Sequence, residues 1–341
     1  MAPDATAAPP TRAEWAAWIL AAVALVATLA LHLLPALLGG LLVYELVHVL
    51  APRLRIVRLS GGRAKLVAVG VLATAVLAAL AGAIIGLVAF VRSESGSLAV
   101  LLQKMADIVE TSRAVLPAWA LEYLPENADA VKTAVAQWLR SHAGELQTAG
   151  KEAGRVLAHV LVGMILGALI ALREARGERP AGALAVALVE RSRRVGDAFR
   201  RIVFAQVRIS ALNTVLTAIF LVAALPLLGI KLPLVKTMIA VTFVAGLVPV
   251  LGNLVSNTVI VIVSLSYSLG AAVGALAFLV VIHKLEYFVN ARIVGSQIRA
   301  AAWELLLAML VMEAAFGIPG VIAAPIFYAY LKDELSSRGL I

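Results

Sequence analysis

The apolar stretch 235–269 constrains the fold of this chain more than any other part of the sequence. As a single α-helix it would be about 50 Å long, well beyond a hydrocarbon core of about 30 Å. Pro249 removes a helix hydrogen-bond donor near its middle, and Gly252 loosens the backbone beside it. Within lipid, such a break persists only where protein or a water-filled cavity satisfies the backbone. We therefore expect two helical arms that meet at a polar break inside a membrane.

The composition is that of a membrane protein. The sequence is 62% hydrophobic and 14% charged, against about 45–50% and about 25% in average soluble proteins. Several apolar runs are longer than the roughly 18 residues that indicate a transmembrane helix. The net charge is +9, but most Lys and Arg fall between apolar runs, which is the positive-inside pattern and does not indicate a nucleic-acid partner. The lack of cysteine excludes disulfides, thiolate metal sites and cysteine nucleophiles.

Basic loops and apolar runs divide the chain into regions. The loop 52–65 carries basic side chains and no acid, which predicts that it is cytoplasmic. Two spans precede it, so the N-terminus is expected on the same side. The predicted regions are a disordered tail 1–14, transmembrane helices 15–91, an extracytoplasmic amphipathic segment 92–151, a span with a basic interfacial helix 152–208, a transport core 209–331 with broken segments 235–269 and 303–331, and a cytoplasmic tail 332–341.

These regions predict an all-α polytopic membrane protein. We expect five or six full spans and two Gly/Pro-broken helical hairpins that re-enter the membrane; if both hairpins crossed fully, there would be eight spans. The second hairpin is interrupted at FGIPG, residues 316–320. Paired broken segments point to the substrate site of a transporter. A small polar solute is therefore expected to pass between two such gates.

The motifs of the C-terminal half resemble those of the autoinducer-2 exporter family, the PerM-like permeases. They are PVLG at 249–252, LEYFVN with IVG at 285–295, and FGIPG with a later AP at 316–325. The sequence departs from the family pattern at Val259, where a second proline is usual, and at Glu313, where a small residue is usual. The resemblance implies export of a small polar signalling molecule, or exchange of Na⁺ for H⁺. It also implies a homo-oligomer, a pentamer.

Break-forming and polar residues near the two breaks are the candidate substrate-binding or gating residues. The asparagines offer neutral donors and acceptors that suit a hydroxylated solute, although such side chains also serve as contacts between packed helices. The candidates are Pro249, Gly252, Asn253, Asn257, Glu286, Asn290, Gly317, Pro319 and Gly320.

Three carboxylates within apolar runs are candidates for proton or ion coupling, because a charge inside a membrane usually faces a cavity or a partner. Glu286 is either a cation or proton site or an interfacial partner of Arg292. Glu313 is either a proton-coupling residue or is satisfied by a helix N-terminus or a hydroxyl. Glu45 has His48 one turn further on, which predicts an internal hydrogen bond or part of a proton path.

The sequence carries no enzyme signature. It has neither a zinc-protease H-E-x-x-H nor a phosphate-binding G-x-x-x-x-G-K-[ST], so ATP is not expected to drive this chain. We expect no cofactor and no metal. The expected partners are membrane lipids, a small polar solute or ions, and further copies of the chain. The remaining alternative is a membrane scaffold that does not transport.

Overall fold

The computed structural model describes residues 10–55, 61–92, 128–175, 182–247, 251–265, 267–298 and 301–340. Within these ranges the chain is helical and has no β-strand, which confirms the all-α class. The helices are α1 (Arg12–Ala30), α2 (Leu34–Arg55), α3 (Gly61–Arg92), α4 (Ala128–Ser141), α5 (Ala143–Ala175), α6 (Ala183–Ile219), α7 (Val235–Gly246), α8 (Leu251–Leu265), α9 (Leu269–Ile298), α10 (Ala302–Phe316) and α11 (Ile318–Ser337).

Four helical segments are long and apolar enough to cross a membrane. Among the described residues these are Arg12–Ala30, Leu34–Pro52, Ala143–Glu174 and Ala183–Leu227. They overlap the regions 15–91, 152–208 and 209–331, in which the sequence predicts membrane helices. Two further long helices, α3 and α9, also fall mainly in these regions. The chain is therefore an integral membrane protein built from helices.

The arginine-rich segment and the span that follows it form one helix, where the sequence suggested two elements. α6 runs through Arg208 without interruption and continues into a π-helical turn, Phe220–Ala224. No proline occurs between Pro180 and Pro226, so nothing in this stretch removes a backbone donor and stops the helix. The basic side chains and the following span therefore belong to one helix.

The chain divides into two compact units. The first comprises residues 1–76, 152–205 and 293–341, and the second comprises residues 77–151 and 206–292. The first unit contains α1, α2, α10, α11 and part of α6. The second contains α7, α8, the rest of α6 and most of α9. Each of the two predicted hairpins therefore belongs to a different unit.

Glycines bring α2 and α5 into close contact in the first unit. A Cβ atom on Gly163 would lie 1.9 Å from the carbonyl oxygen of Ala36, and one on Gly167 would lie 2.1 Å from that of Gly40. Gly163 and Gly167 are four residues apart and so share one face of α5. This Gly-x-x-x-Gly pattern is the small-residue spacing that lets membrane helices pack backbone to backbone. It was visible in the sequence, but our sequence analysis overlooked it.

Apolar side chains hold the second unit together. Three side chains are almost fully buried: Leu221 in the π-helical turn after α6, Met238 in α7 and Ile260 in α8. Phe220 stacks on Phe278 of α9 with 3.8 Å between ring centroids. The hairpin of α7 and α8 is thus fixed against two neighbouring helices.

Candidate functional site

The first break lies where the sequence predicts it. α7 ends at Gly246 and α8 begins at Leu251, while Pro249 falls outside the described residues. The two arms have 12 and 15 residues, which corresponds to about 18 and 22 Å of helix. Neither arm is long enough by itself to cross a hydrocarbon core of about 30 Å.

Side chains of α6 complete the backbone hydrogen bonding at this break. The last carbonyls of a helix have no intrahelical donor, and here the Leu247 amide bonds to Val244 and leaves the Phe243 carbonyl to another donor. Ser210 Oγ donates to the Phe243 carbonyl at 2.6 Å, and Gln206 Nε2 donates to the Gly246 carbonyl at 2.7 Å. The broken end of α7 is therefore satisfied by protein, as a break within lipid requires.

The two glycines of this break allow close packing. A Cβ atom on Gly252 would lie 2.1 Å from the Ala245 carbonyl oxygen, and one on Gly246 would lie 2.6 Å from Ser210 Oγ. Gly252 thus lets the first turn of α8 lie directly on the end of α7. Its role in the structure is to permit a contact between backbones.

A stripe of buried polar side chains extends along α6 from this break. Ser210, Asn213 and Thr217 are all buried, and their spacing of three and four residues places them on one face of the helix. Thr242 of α7 and Ser256 of α8 are also buried. Sequence analysis missed this stripe, although polar residues repeated at helical spacing in an apolar segment were its visible signal.

The asparagines predicted as solute ligands are only partly described. Asn257 on α8 is half-buried. α8 also contains Asn253, and α9 contains Glu286 and Asn290, but the side chains of these three residues lie outside the described part. Their roles, including a pairing of Glu286 with Arg292, stay predictions.

The second break is a single residue. α10 ends at Phe316, α11 begins at Ile318, and Gly317 between them has φ 62° and ψ −147°, a conformation that is essentially restricted to glycine. Pro319 lies in the first turn of α11, where a missing amide donor costs nothing. A Cβ atom on Gly320 would lie 1.9 Å from the Met312 carbonyl oxygen. Gly317, Pro319 and Gly320 thus have distinct physical roles at this break.

A hydrogen-bonded ion pair joins the first turn of α10 to the C-terminal half of α11. Lys332 Nζ lies 2.7 Å from Glu304 Oε2, and the Tyr328 hydroxyl donates to the same oxygen. Glu304 lies in the first turn of α10, outside the four candidate spans. The ammonium of Lys332 and the hydroxyl of Tyr328 both stabilise the ionised form of this carboxylate. The carboxylate is therefore charged at neutral pH and holds the two arms together.

Glu313 is exposed on α10. Leu306 and Leu310, seven and three residues before it, are exposed as well, so the carboxylate lies on an otherwise apolar stripe of the helix. A charge on such a stripe is unfavourable in contact with lipid and usually faces water or a partner.

Glu45 is buried, with 6% of its surface exposed, and its Oε2 lies 3.9 Å from Arg200 Nη1. Its neighbour His48 turns to a different carboxylate: Nε2 of His48 lies 2.9 Å from Glu174 Oε2 on α5. The hydrogen bond that the sequence suggested between Glu45 and His48 is replaced by this contact between helices. Sequence spacing could not reveal it, because Glu174 is 126 residues away.

Two arginines of the predicted basic interfacial helix, Arg191 and Arg194, take part in a buried cluster. Arg191 and Glu334 are 4% and 7% exposed. Arg191 Nε lies 3.0 Å from Glu334 Oε1, at ion-pair distance but not aligned as a hydrogen bond. Arg194 Nη1 donates to Glu334 Oε2 at 3.0 Å, and the Trp18 indole donates to the same oxygen at 3.3 Å. The cluster fixes α11 to α6 and α1.

Comparison with known proteins decides the class of this chain. The family model described as AI-2E family transporter matches residues 15–337. The chain belongs to the AI-2E transporter family. This confirms the resemblance noted in the C-terminal motifs and extends it to nearly the whole sequence. No curated protein and no solved structure matches the chain.

Membership of the AI-2E family places the protein among membrane transporters. Both breaks, the polar stripe of α6 and the Glu334 cluster lie within the matched residues.

Proposed function

We propose that this protein is a secondary transporter that exports a small polar solute, of the kind of the autoinducer-2 signal, with the proton gradient as its energy source. The observation that carries the proposal is the break between α7 and α8, whose free carbonyls are satisfied by Gln206 and Ser210. Transporters place their substrates at such discontinuous helices near the middle of the bilayer.

The lengths of the arms support re-entrant hairpins. α7, α8 and α10 have 12, 15 and 15 residues, and each is too short to cross a hydrocarbon core alone. A hairpin that enters and leaves on one side needs no full crossing. It brings a broken, polar backbone to membrane depth, where protein contacts satisfy it.

The polar side chains around the first break provide chemistry for a neutral solute. Asn253, Asn257 and Asn290 are proposed ligands, since amides both donate and accept hydrogen bonds. Glu286 and Glu45 are proposed cation or proton sites. The protein is proposed to lie in the bacterial cytoplasmic membrane with both termini cytoplasmic. It is also proposed to act as a homo-oligomer, which native mass spectrometry of the detergent-solubilised protein would count.

Transport in proteoliposomes tests the role of the first break. Gln206→Leu is expected to lower the transport rate about tenfold, because an orphaned carbonyl costs about 1–3 kcal/mol. The control is Thr214→Val, since the Thr214 hydroxyl donates to the carbonyl of Ser210 within its own helix at 2.7 Å. An unchanged rate in Gln206→Leu would contradict the proposal that this end of α7 is part of the pathway.

The same vesicles distinguish the alternatives. Proton movement is followed with a trapped pH-sensitive dye after addition of NaCl or of a panel of small polyhydroxylated carbonyl compounds. Proton movement driven by the organic solutes supports the exporter, and movement driven by Na⁺ alone supports an exchanger. No movement under any gradient supports a scaffold and overturns the proposed function.

Glu313 is the proposed proton-coupling residue at the second break. Glu313→Gln is expected to abolish the pH dependence of the transport rate, because the amide cannot titrate. The matched control is Glu152→Gln, which also neutralises an exposed carboxylate, one in an ion pair with Arg155. A pH profile like that of the unmodified protein would show that Glu313 does not carry the proton.

A further inference from the structure

Three helices of the first unit bring ionisable side chains together near the Arg55 end of α2. α2 contributes Tyr44, Glu45 and His48, and α5 contributes Glu174 at its last turn. α6 contributes Arg193, Asp197 and Arg200. Arg193 lies 3.8 Å from Glu174, and Arg200 lies 3.9 Å from Glu45. Within α6, Arg200 lies 3.0 Å from Asp197. His48 contacts the Tyr44 carbonyl oxygen within α2 and the Glu174 carboxylate of α5.

Both ring nitrogens of His48 face oxygen atoms. Nδ1 lies 2.7 Å from the carbonyl oxygen of Tyr44, and Nε2 lies 2.9 Å from Oε2 of Glu174. A carbonyl oxygen only accepts, so Nδ1 must carry a proton to make its hydrogen bond. A carboxylate also only accepts, so the second contact requires another proton between Nε2 and Glu174.

The surroundings of Glu174 favour its ionised form. The Tyr44 hydroxyl donates to Glu174 Oε1 at 3.0 Å, and Arg193 Nη2 lies 3.8 Å from the same oxygen. A donor and a positive charge both stabilise a carboxylate. The extra proton is therefore placed on the imidazole ring, which makes the contact an ion pair between an imidazolium and a carboxylate.

We propose that His48, held between the Tyr44 carbonyl and the Glu174 carboxylate, is a proton-binding site of this transporter. The site deepens the proposed function, since it would supply a group that takes up and releases the coupling proton. Loss of the proton removes one of the two hydrogen bonds of the ring, whichever neutral tautomer remains. Release of the Nε2 proton removes the hydrogen bond to Glu174, which joins α2 to α5, whereas release of the Nδ1 proton removes only the bond to Tyr44 within α2.

The charges around the ring agree with the protonated state. The ion pairs that join these helices bring together three carboxylates, of Glu45, Glu174 and Asp197, and two arginines, Arg193 and Arg200. An imidazolium at His48 faces the carboxylate of Glu174 at ion-pair distance, 2.9 Å. The bound state holds more protons than the released state, so a falling pH favours it.

A second histidine of the chain serves as an internal control. His142 Nδ1 lies 2.9 Å from the carbonyl oxygen of Trp138, one turn back, and its ring stacks on Trp138 at 4.6 Å. His48 repeats this arrangement with Tyr44, at 4.2 Å between ring centroids. His48 differs in having the carboxylate of Glu174 beside its Nε2, whereas Nδ1 of His142 also lies 3.0 Å from the Ser141 hydroxyl.

Nitrogen NMR of ¹⁵N-histidine-labelled protein in detergent tests the site without any transport assay. The His48 resonances are assigned by their loss in His48→Gln. Because each ring nitrogen faces an oxygen atom, both nitrogens of His48 are expected to carry protons. Glu174→Gln is expected to abolish this doubly protonated signal and to leave His142 unchanged. A neutral His48 ring at pH 7.5 in the unmodified protein would overturn the proposal.

Transport then separates failure of this site from failure of the proposed function. His48→Gln and Glu174→Gln are expected to flatten the pH profile of the transport rate, and His142→Gln is expected to retain it. Gel filtration and thermal unfolding check that each variant is folded. A protonated His48 in a protein that moves no solute or ion would uphold the proton site and refute the proposed function. A protonated His48 with unchanged pH profiles in both variants would refute its part in coupling.

Discussion

Glu334→Ala is expected to destabilise the folded protein by about 3–5 kcal/mol, because it leaves a buried arginine without its counter-charge. Arg191 is 4% exposed and lies 3.0 Å from Glu334, and its guanidinium carbon lies 5.4 Å from the centroid of the Trp18 ring. Arg194 is less affected, since it also binds Glu190. Unfolding titrations with a denaturing detergent, followed by circular dichroism, measure the loss.

Two further variants show that an unpaired charge causes this loss. Glu152→Ala removes an exposed partner of Arg155 and is expected to change stability by less than about 1 kcal/mol. Arg191→Met combined with Glu334→Leu removes both charges and is expected to recover most of the stability, as replacement of buried ion pairs by apolar side chains often does. If Glu334→Ala unfolded like the unmodified protein, the buried pair would not stabilise the contact of α11 with α6.

Gly167→Ala is expected to have the second large effect, a destabilisation of about 1–3 kcal/mol or more. The new Cβ atom would lie 2.1 Å from the carbonyl oxygen of Gly40, and a backbone atom in a packed helix cannot rotate away as a side chain can. The same detergent titration measures the change. Cysteine cross-linking between α2 and α5 would report the separation of the helices, in a chain without native cysteine.

The control for this substitution is Gly154→Ala in the same helix. No atom lies within 4 Å of the position of its Cβ, so only the helix propensity changes. Alanine is favoured over glycine by about 1 kcal/mol in a helix interior, and Gly154→Ala is expected to be neutral or more stable. Equal effects of the two substitutions would show that the close approach of α2 and α5 does not contribute to stability.

Much of the architecture could be predicted from the sequence, because it depends on local properties. Long apolar runs predict membrane helices, and the breaks follow from Pro249, Gly252 and the FGIPG motif at 316–320. The conformation of Gly317, with φ 62°, is one that its residue type allows and most others exclude. The sequence predicts a boundary after Arg208, but α6 continues to Ile219. No residue in the arginine-rich segment stops the helix there.

The residues that complete the candidate site could not be predicted. Gln206 donates to a carbonyl 40 residues away, and any polar residue of the apolar half was an equally good candidate in sequence. The spacing of one helical turn predicts a hydrogen bond between His48 and Glu45. In the structure His48 Nε2 instead contacts the carboxylate of Glu174. Local spacing identifies neighbours on one helix, whereas these contacts depend on which helices pack together.

The sequence by itself therefore determined the all-α membrane class, the places where helices break, and the family. These follow from residue types and their order along the chain. Only the tertiary structure decided which donors satisfy the end of α7, which of many arginines is buried with Glu334, and which carboxylate His48 faces. The physical reason is that a buried polar group must find its partner in space, and packing selects that partner from residues that are remote in sequence.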